Sequence, residues 1–271
     1  METRDRNGVA LHPVEIDLLC TFAEVEPPFP IEVTPAGETD VERAVRFRGA
    51  AENLVDRDLA DERGPLDVAE EFVYLLRFCT GVVDLLISRD DGHVAVALLT
   101  ARDEALLVIQ DTADPYGMIR LHPTTLDEGM TRLYRMIPRA DTPLTAPFSL
   151  PRRAVRSAFE AMLAATPDSG TPVELATDRI EEILAAQGID ERITRRMVSH
   201  LQPVQGSGQA GLARRDETED QWRRIGTELQ WIDTPRGRYR LAGDDDWMSV
   251  NPLGAEELRA ELRALGTQAH T

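Results

Sequence analysis

The chain has 271 residues, of which 42% are hydrophobic and 29% are charged, a balance typical of a folded globular protein. Its formal net charge of −18 argues against nucleic acid or an anionic membrane as a main partner, because phosphate groups are usually bound by clustered lysine and arginine. The length fits either one large domain or two closely joined halves.

Two features of the sequence indicate a cytoplasmic protein. Cys20 and Cys79 are the only cysteines, and each lies in an apolar stretch, so we expect buried free thiols, as in a reducing compartment. Residues 1–7 lack the apolar segment of a secretion signal, and no run approaches the ~20 apolar residues of a membrane span. We therefore expect no contact with a membrane.

The first helices are predicted from their capping signals and breaks. Residues 14–33 contain a Pro-Pro-Phe-Pro break and predict a strand or short helix followed by a loop. Thr39-Asp-Val-Glu42 resembles a capping box that starts a surface helix reaching about Ala60. Asp67 is predicted to cap the next helix, whose apolar side chains recur on one face.

Four β-type segments follow, separated by short turn sequences that predict an antiparallel meander. They span 82–88, 93–101, 104–110 and 116–122, and an amphipathic helix at 124–137 follows them.

After a proline-rich connection at 138–147, the second half begins with three predicted helices. Pro151 starts the first, a capping box at Thr171-Pro-Val-Glu174 starts the second, and Asp190 caps the third. Strands are then predicted at 209–215, 225–233, 236–242 and 247–251, with a closing helix at 254–265.

The two halves repeat one order of elements: helices, four strands and a closing helix. At an offset of 129 residues Pro123 matches Pro252, and Leu133 matches Leu262. The repeat predicts an α+β fold with pseudo-two-fold halves, roughly 1–142 and 143–271. A coincidence between two ordinary α+β halves is the alternative.

Catalytic and cofactor signatures are weak throughout the sequence. The run 206–211 spells G-x-G-x-x-G, but it lacks the preceding strand and following helix of a dinucleotide site, so a flexible linker is expected. Histidine and cysteine spacings match no zinc site, and Asp244-Asp-Asp246 fits a solvated turn better than a cation site. We assign no catalytic, cofactor-binding or metal-ligating residue.

Two other functional classes stay open at this point. One is an enzyme of unknown class with a site between the halves. The other is a regulatory DNA-binding protein, since helices at 171–187 and 190–201 resemble a helix-turn-helix that carries Arg192, Arg195 and Arg196.

Three segments, 208–214, 231–239 and 247–252, resemble the C-terminal signature of the EspG family. The helix at 67–79 that runs into Val82-Val-Asp-Leu-Leu-Ile87 is similar to the N-terminal half of that family. The resemblance implies pseudo-two-fold halves with a central, largely antiparallel sheet flanked by two helical bundles. It also implies a cytoplasmic, non-enzymatic type VII (ESX) secretion chaperone without a cofactor.

The resemblance further implies a partner and a contact surface. The partner is a PE/PPE heterodimer, whose PPE protein has a hydrophobic helical tip that the chaperone shields before export. Carried to this chain, the contacts fall on a loop of Arg89, Asp90, Asp91, Gly92 and His93 and on the helical bundle within 151–201. The loop is short compared with that of some relatives.

Overall fold

The computed structural model describes residues 8–89, 92–102, 104–165, 177–216, 221–244 and 246–270. The helices are α1 (Pro13–Ala23), α2 (Asp40–Asp56), α3 (Asp67–Phe78), α4 (Leu126–Met136), α5 (Arg152–Ala165), α6 (Thr177–Ala186), α7 (Glu191–Leu201) and α8 (Ala255–His270). The strands are β1 (Val9–Leu11), β2 (Ala60–Asp61), β3 (Gly64–Pro65), β4 (Gly81–Arg89), β5 (Gly92–Ala101), β6 (Glu104–Asp111), β7 (Ile119–Thr124), β8 (Phe148–Pro151), β9 (Gly206–Asp216), β10 (Gln221–Thr234), β11 (Gly237–Gly243) and β12 (Trp247–Pro252).

Ten of the strands form one sheet in the order β1-β7-β6-β5-β4-β9-β10-β11-β12-β8, and every neighbouring pair is antiparallel. Outward from the β4–β9 pair, each half has a four-stranded meander, β4 to β7 or β9 to β12. The outermost strand is the first of that half in the sequence, β1 or β8. This arrangement confirms the α+β fold with pseudo-two-fold halves. The division at residue 142 stays a prediction.

Side chains alternate between the two faces of the sheet and divide the core into separate clusters. On β4, Val82 belongs to a cluster with α1, α2 and α3, whereas Val83 belongs to a second cluster with α4 and α8. On β10, Ile232 packs against a third cluster with α5, α6 and α7, whereas Trp231 lies in the second. Hence the N-terminal bundle (α1–α3) and the C-terminal bundle (α5–α7) share one face, and α4 and α8 cover the reverse face.

Two of the predicted helix starts are confirmed by their caps. The Thr39 side chain accepts a hydrogen bond from the backbone N–H of Glu42, and Asp190 caps α7 through the N–H of Arg192. The Asp67 prediction was wrong, because Leu66 occupies the N-cap position and Asp67 is the first helical residue. The capping box at Thr171 lies outside the described residues.

Several predicted boundaries also change. The second helix ends at Asp56, and Ala60 starts the short strand β2. The fourth strand begins at Ile119 rather than at residue 116, because Asp114 and Tyr116 form a turn closed by the Asp114 carboxylate. Pro151 ends β8, a strand that the sequence analysis missed, and α5 starts one residue later.

The glycine-rich run 206–211 is not a flexible linker, as the sequence suggested, but the start of the central strand β9. Its glycines are needed for packing: a methyl group at Gly208 would overlap the ring of Trp231, which is 1% exposed. A methyl group at Gly211 would overlap the guanidinium group of Arg224.

An ion pair crosses β9 at the junction of the halves. Asp84 of β4 is 0% exposed, and its carboxylate accepts a hydrogen bond from Arg224 of β10, which also pairs with Glu228 at 2.9 Å. Gly211 lies between the two strands and leaves room for the guanidinium group. Burial raises the pKa of the Asp84 carboxyl, and the neighbouring Arg224 opposes that rise.

We expect Gly208→Ala to lower the free energy of unfolding by about 1–3 kcal/mol, because the added methyl group displaces a buried indole ring. The matched control is Gly49→Ala in α2, where no atom lies within 4 Å of the new methyl group. That control should raise stability by about 0.5–1 kcal/mol through its helix propensity. Urea unfolding of both variants measures the difference, and equal stabilities would contradict the packing role.

We expect Arg224→Ala to lower stability by about 3–5 kcal/mol at neutral pH, because it leaves the buried Asp84 carboxylate without its cation. Without Arg224, the rise in the pKa of Asp84 that burial causes is no longer opposed by this cation. For an acid whose pKa is raised in the folded state, the free energy of unfolding falls as pH rises above the unfolded pKa of 3.8. The deficit of Arg224→Ala should therefore be larger near about pH 8 than near about pH 5.

The control for this prediction is Arg240→Ala on the next strand, which breaks a partly exposed pair with Glu261 and should cost about 1 kcal/mol or less. Adding Asp84→Asn to Arg224→Ala should restore part of the lost stability and remove the pH dependence of the remaining deficit. A loss like that of Arg240→Ala, unchanged between the two pH values, would show that Asp84 does not need Arg224.

Candidate functional site

The predicted contact loop is the turn of the β4–β5 hairpin. Arg89 and Gly92 are the last paired residues of the two strands, and His93 pairs with Ser88. Asp90 and Asp91 lie outside the described residues. Gly92 has a φ of +138°, and a side chain there would also press against the hydroxyl of Thr112, so the turn needs glycine at this position.

The end of β6 and the residue after it hold this hairpin in place. The guanidinium group of Arg89 donates to both carboxylate oxygens of Asp111 at 3.2 and 3.0 Å. The hydroxyl of Thr112 accepts a hydrogen bond from the backbone N–H of His93 at 2.8 Å and donates to its carbonyl at 3.1 Å. Arg89 and His93, which flank the turn, are therefore both tied to the end of β6 and the residue after it.

The hairpin and the C-terminal bundle lie at the same end of the molecule. Helix α7 ends at Leu201, and within a few residues the chain enters β9, where Ser207 pairs with Ser88 of the hairpin. A cavity of 470 Å³ lies beside the hairpin, bordered by Arg89, Gln205 and the linker 138–141. The end of α7, the start of β9 and the hairpin therefore lie close together at this end of the sheet.

Arg238 fixes the linker that borders this cavity. Its side chain is buried, donates to both carboxylate oxygens of Asp233 at 2.7 Å and donates to the carbonyl of Pro138 at 2.9 Å. The backbone N–H of Arg238 donates to the carbonyl of Asp141 at 2.9 Å. The sequence predicted the strands at 225–233 and 236–242, but it gave no sign that Arg238 holds a segment a hundred residues away.

Aromatic packing stabilises the C-terminal bundle on the sheet. The ring of His200 lies 5.4 Å from that of Phe148 and 6.4 Å from that of Tyr239, measured between centroids. Burial, followed by the charges of Arg236 and Arg196, lowers the pKa of His200. The contacts with these two aromatic rings give His200 a packing role between the bundle and the sheet.

The arginines of the proposed helix-turn-helix are partly engaged within the bundle. Arg195 forms an ion pair with Glu191 one turn earlier, and the guanidinium group of Arg196 lies 5.6 Å from the ring centre of Phe148. These contacts reduce the basic surface that α7 offers to a phosphate backbone.

Groups with possible chemistry are few in the part of the chain that the structure describes. Burial raises the pKa of the thiols of Cys20 and Cys79 to about 12, so both thiols are protonated and unreactive. No cluster of metal-ligating side chains occurs among the described residues. Within the same ranges, no helix has the length and apolar character required to span a membrane.

Comparison with known proteins yields a structural relative and a family. No curated protein matches the chain. The solved structure of the Mycobacterium tuberculosis type VII secretion system chaperone EspG5, in complex with a PE25-PPE41 dimer, is similar over 95% of each chain, with a TM-score of 0.59 and 12% sequence identity. At that identity the likeness establishes the fold alone. The model of the EspG family matches residues 12–264, and the chain therefore belongs to the EspG family.

Proposed function

We propose that this protein is a cytoplasmic type VII (ESX) secretion chaperone that binds the PPE protein of a PE/PPE heterodimer and keeps the pair soluble until export. The observation that carries the proposal is membership of the EspG family over residues 12–264. The whole-chain likeness to EspG5, a chaperone solved with a PE25-PPE41 dimer, supports it. Chaperoning of this kind is reversible burial of apolar surface and requires no catalytic group.

The contact surface in this proposal combines the β4–β5 hairpin with the C-terminal bundle. Its hairpin residues are Arg89, Asp90, Asp91, Gly92 and His93. The anchoring of Arg89 and His93 by Asp111 and Thr112 supports this choice, because residues that are already held in place lose little entropy when a partner binds.

Co-expression with the PE/PPE pairs encoded beside the gene tests the function directly. We expect one pair to co-purify with the chaperone and to elute with it as a single complex in size exclusion. The same pair expressed alone should be insoluble or should self-associate, because its helical tip is then uncovered. If every neighbouring pair remains soluble and separate from the chaperone, the proposed function is wrong.

A charge-changing double variant of the hairpin tests the proposed surface. We expect Asp90→Arg with His93→Glu to weaken binding of the cognate pair by about tenfold, since charges at an interface determine orientation and encounter. Isothermal titration calorimetry measures the affinity.

The control makes the same charge changes at Glu52 of α2 and His270 of α8, both exposed and away from the hairpin. Glu52→Arg with His270→Glu should bind like the unmodified protein. Equal affinities for the hairpin and control variants, both folded, would remove the hairpin from the interface.

A further inference from the structure

A groove of 1010 Å³ lies on the reverse face of the sheet, opposite the two bundles. Helices α4 and α8 form two of its walls, and the linker 137–141 forms a third. Its floor is closed by the buried side chains of Met130, Leu253, Leu258 and Leu262. The groove is therefore a surface depression with an apolar floor, and the linker 138–141 separates it from the cavity beside the hairpin.

Basic side chains outnumber acidic ones along this groove, whereas acidic residues outnumber basic ones in the whole chain. The protein has 30 basic against 48 acidic residues, yet only Asp127 and Asp141 contribute carboxylates to the groove lining. Five arginines line it: Arg135, Arg139, Arg238, Arg259 and Arg263. In this groove guanidinium groups therefore outnumber carboxylates by five to two.

Two of the arginines are already engaged within the protein. Arg238 is paired with Asp233, and Arg259 stacks 4.6 Å from the ring centre of Tyr134 and lies 3.8 Å from Glu256.

The other three remain available to a ligand. Arg135, Arg139 and Arg263 are exposed, and no ion pair engages them within the residues that the structure describes. They lie on α4, on the linker and on α8 respectively, so they surround the groove from three sides.

The size and lining of the groove decide which anion fits. Small-molecule pockets typically enclose about 300–1000 Å³, so a single phosphate would leave most of this groove empty. Tyr134 and Pro138 offer partly exposed apolar surface beside the guanidinium groups. We propose that the groove binds an acidic peptide segment of a partner protein, with apolar side chains on Tyr134 and Pro138 and carboxylates on Arg135, Arg139 and Arg263.

This second surface does not rest on the chaperone function. Because the groove and the two bundles lie on opposite faces of one sheet, a peptide in the groove leaves the bundle face free. The linker 138–141 borders both the groove and the cavity beside the hairpin, so the two sites adjoin at this segment.

Fluorescence anisotropy with the full chain tests the proposal. The probe is a fluorescein-labelled peptide of Leu-Glu-Glu-Ala repeats, and the reference is its Leu-Gln-Gln-Ala counterpart. We expect saturable binding of the acidic peptide only, and about tenfold or greater loss of affinity in Arg139→Glu with Arg263→Glu. Arg46→Glu with Arg48→Glu on the exposed side of α2 gives the same net charge and should bind like the unmodified protein.

Three outcomes would overturn the assignment. Equal loss in the two double variants would mean that only the overall charge matters. Equal binding of the glutamine peptide would mean that carboxylates are not recognised, and displacement by equimolar inorganic phosphate would assign the groove to a small anion. If the reversed variant does not fold, Arg139→Gln with Arg263→Gln replaces it, and unchanged affinity in that folded variant would equally contradict the proposal.

Discussion

The antiparallel pairing of β4 with β9 joins the two halves, and the position of both bundles and of both closing helices depends on it. Register is fixed from Val82 opposite Ala213 to Ser88 opposite Ser207. A shift of β9 by one residue would turn its Ala210 and Leu212 side chains from the cluster under α4 and α8 toward the opposite face. The glycines of β9 make room for side chains of the next strand, since larger residues at 208 and 211 would overlap Trp231 and Arg224 of β10.

A consequence of this junction is that the two faces of the sheet have different characters. On the reverse face, Leu133 of α4 and Leu262 of α8 are both fully buried in one cluster, so the closing helices meet near the pseudo-two-fold axis. On the other face the bundles stand apart, each with its own core, and the charged group of Asp84, Arg224 and Glu228 lies at the junction. A partner that spans both halves would have to pass over this group, whereas one that contacts a single bundle would not.

Local sequence patterns predicted the elements whose stability is mainly local. The Val- and Leu-rich strands β4 to β6 and the capped helices α2 and α7 were found because burial periodicity and capping are properties of short segments.

The glycine-rich start of β9 was missed because glycine weakens a strand in isolation, and the Trp231 and Arg224 side chains that require it lie on another strand. Asp84 in the middle of an apolar strand was a signal for a buried partner, but the sequence could not name Arg224, 140 residues away. The groove arginines likewise come from three separate segments that only the fold brings together.

The short β4–β5 hairpin limits what that loop can contribute to binding. A stable interface buries about 800 Å² on each partner, or about 20–30 residues, and a five-residue turn provides only a small part of it. Its ion pair between Arg89 and Asp111 is solvent-exposed and contributes about 1 kcal/mol or less to holding the turn. In the proposed interface, the neighbouring C-terminal bundle therefore provides most of the contact area. The hairpin contributes through Arg89 and His93, which Asp111 and Thr112 already hold in place, so that fixing these two residues against a partner costs little entropy.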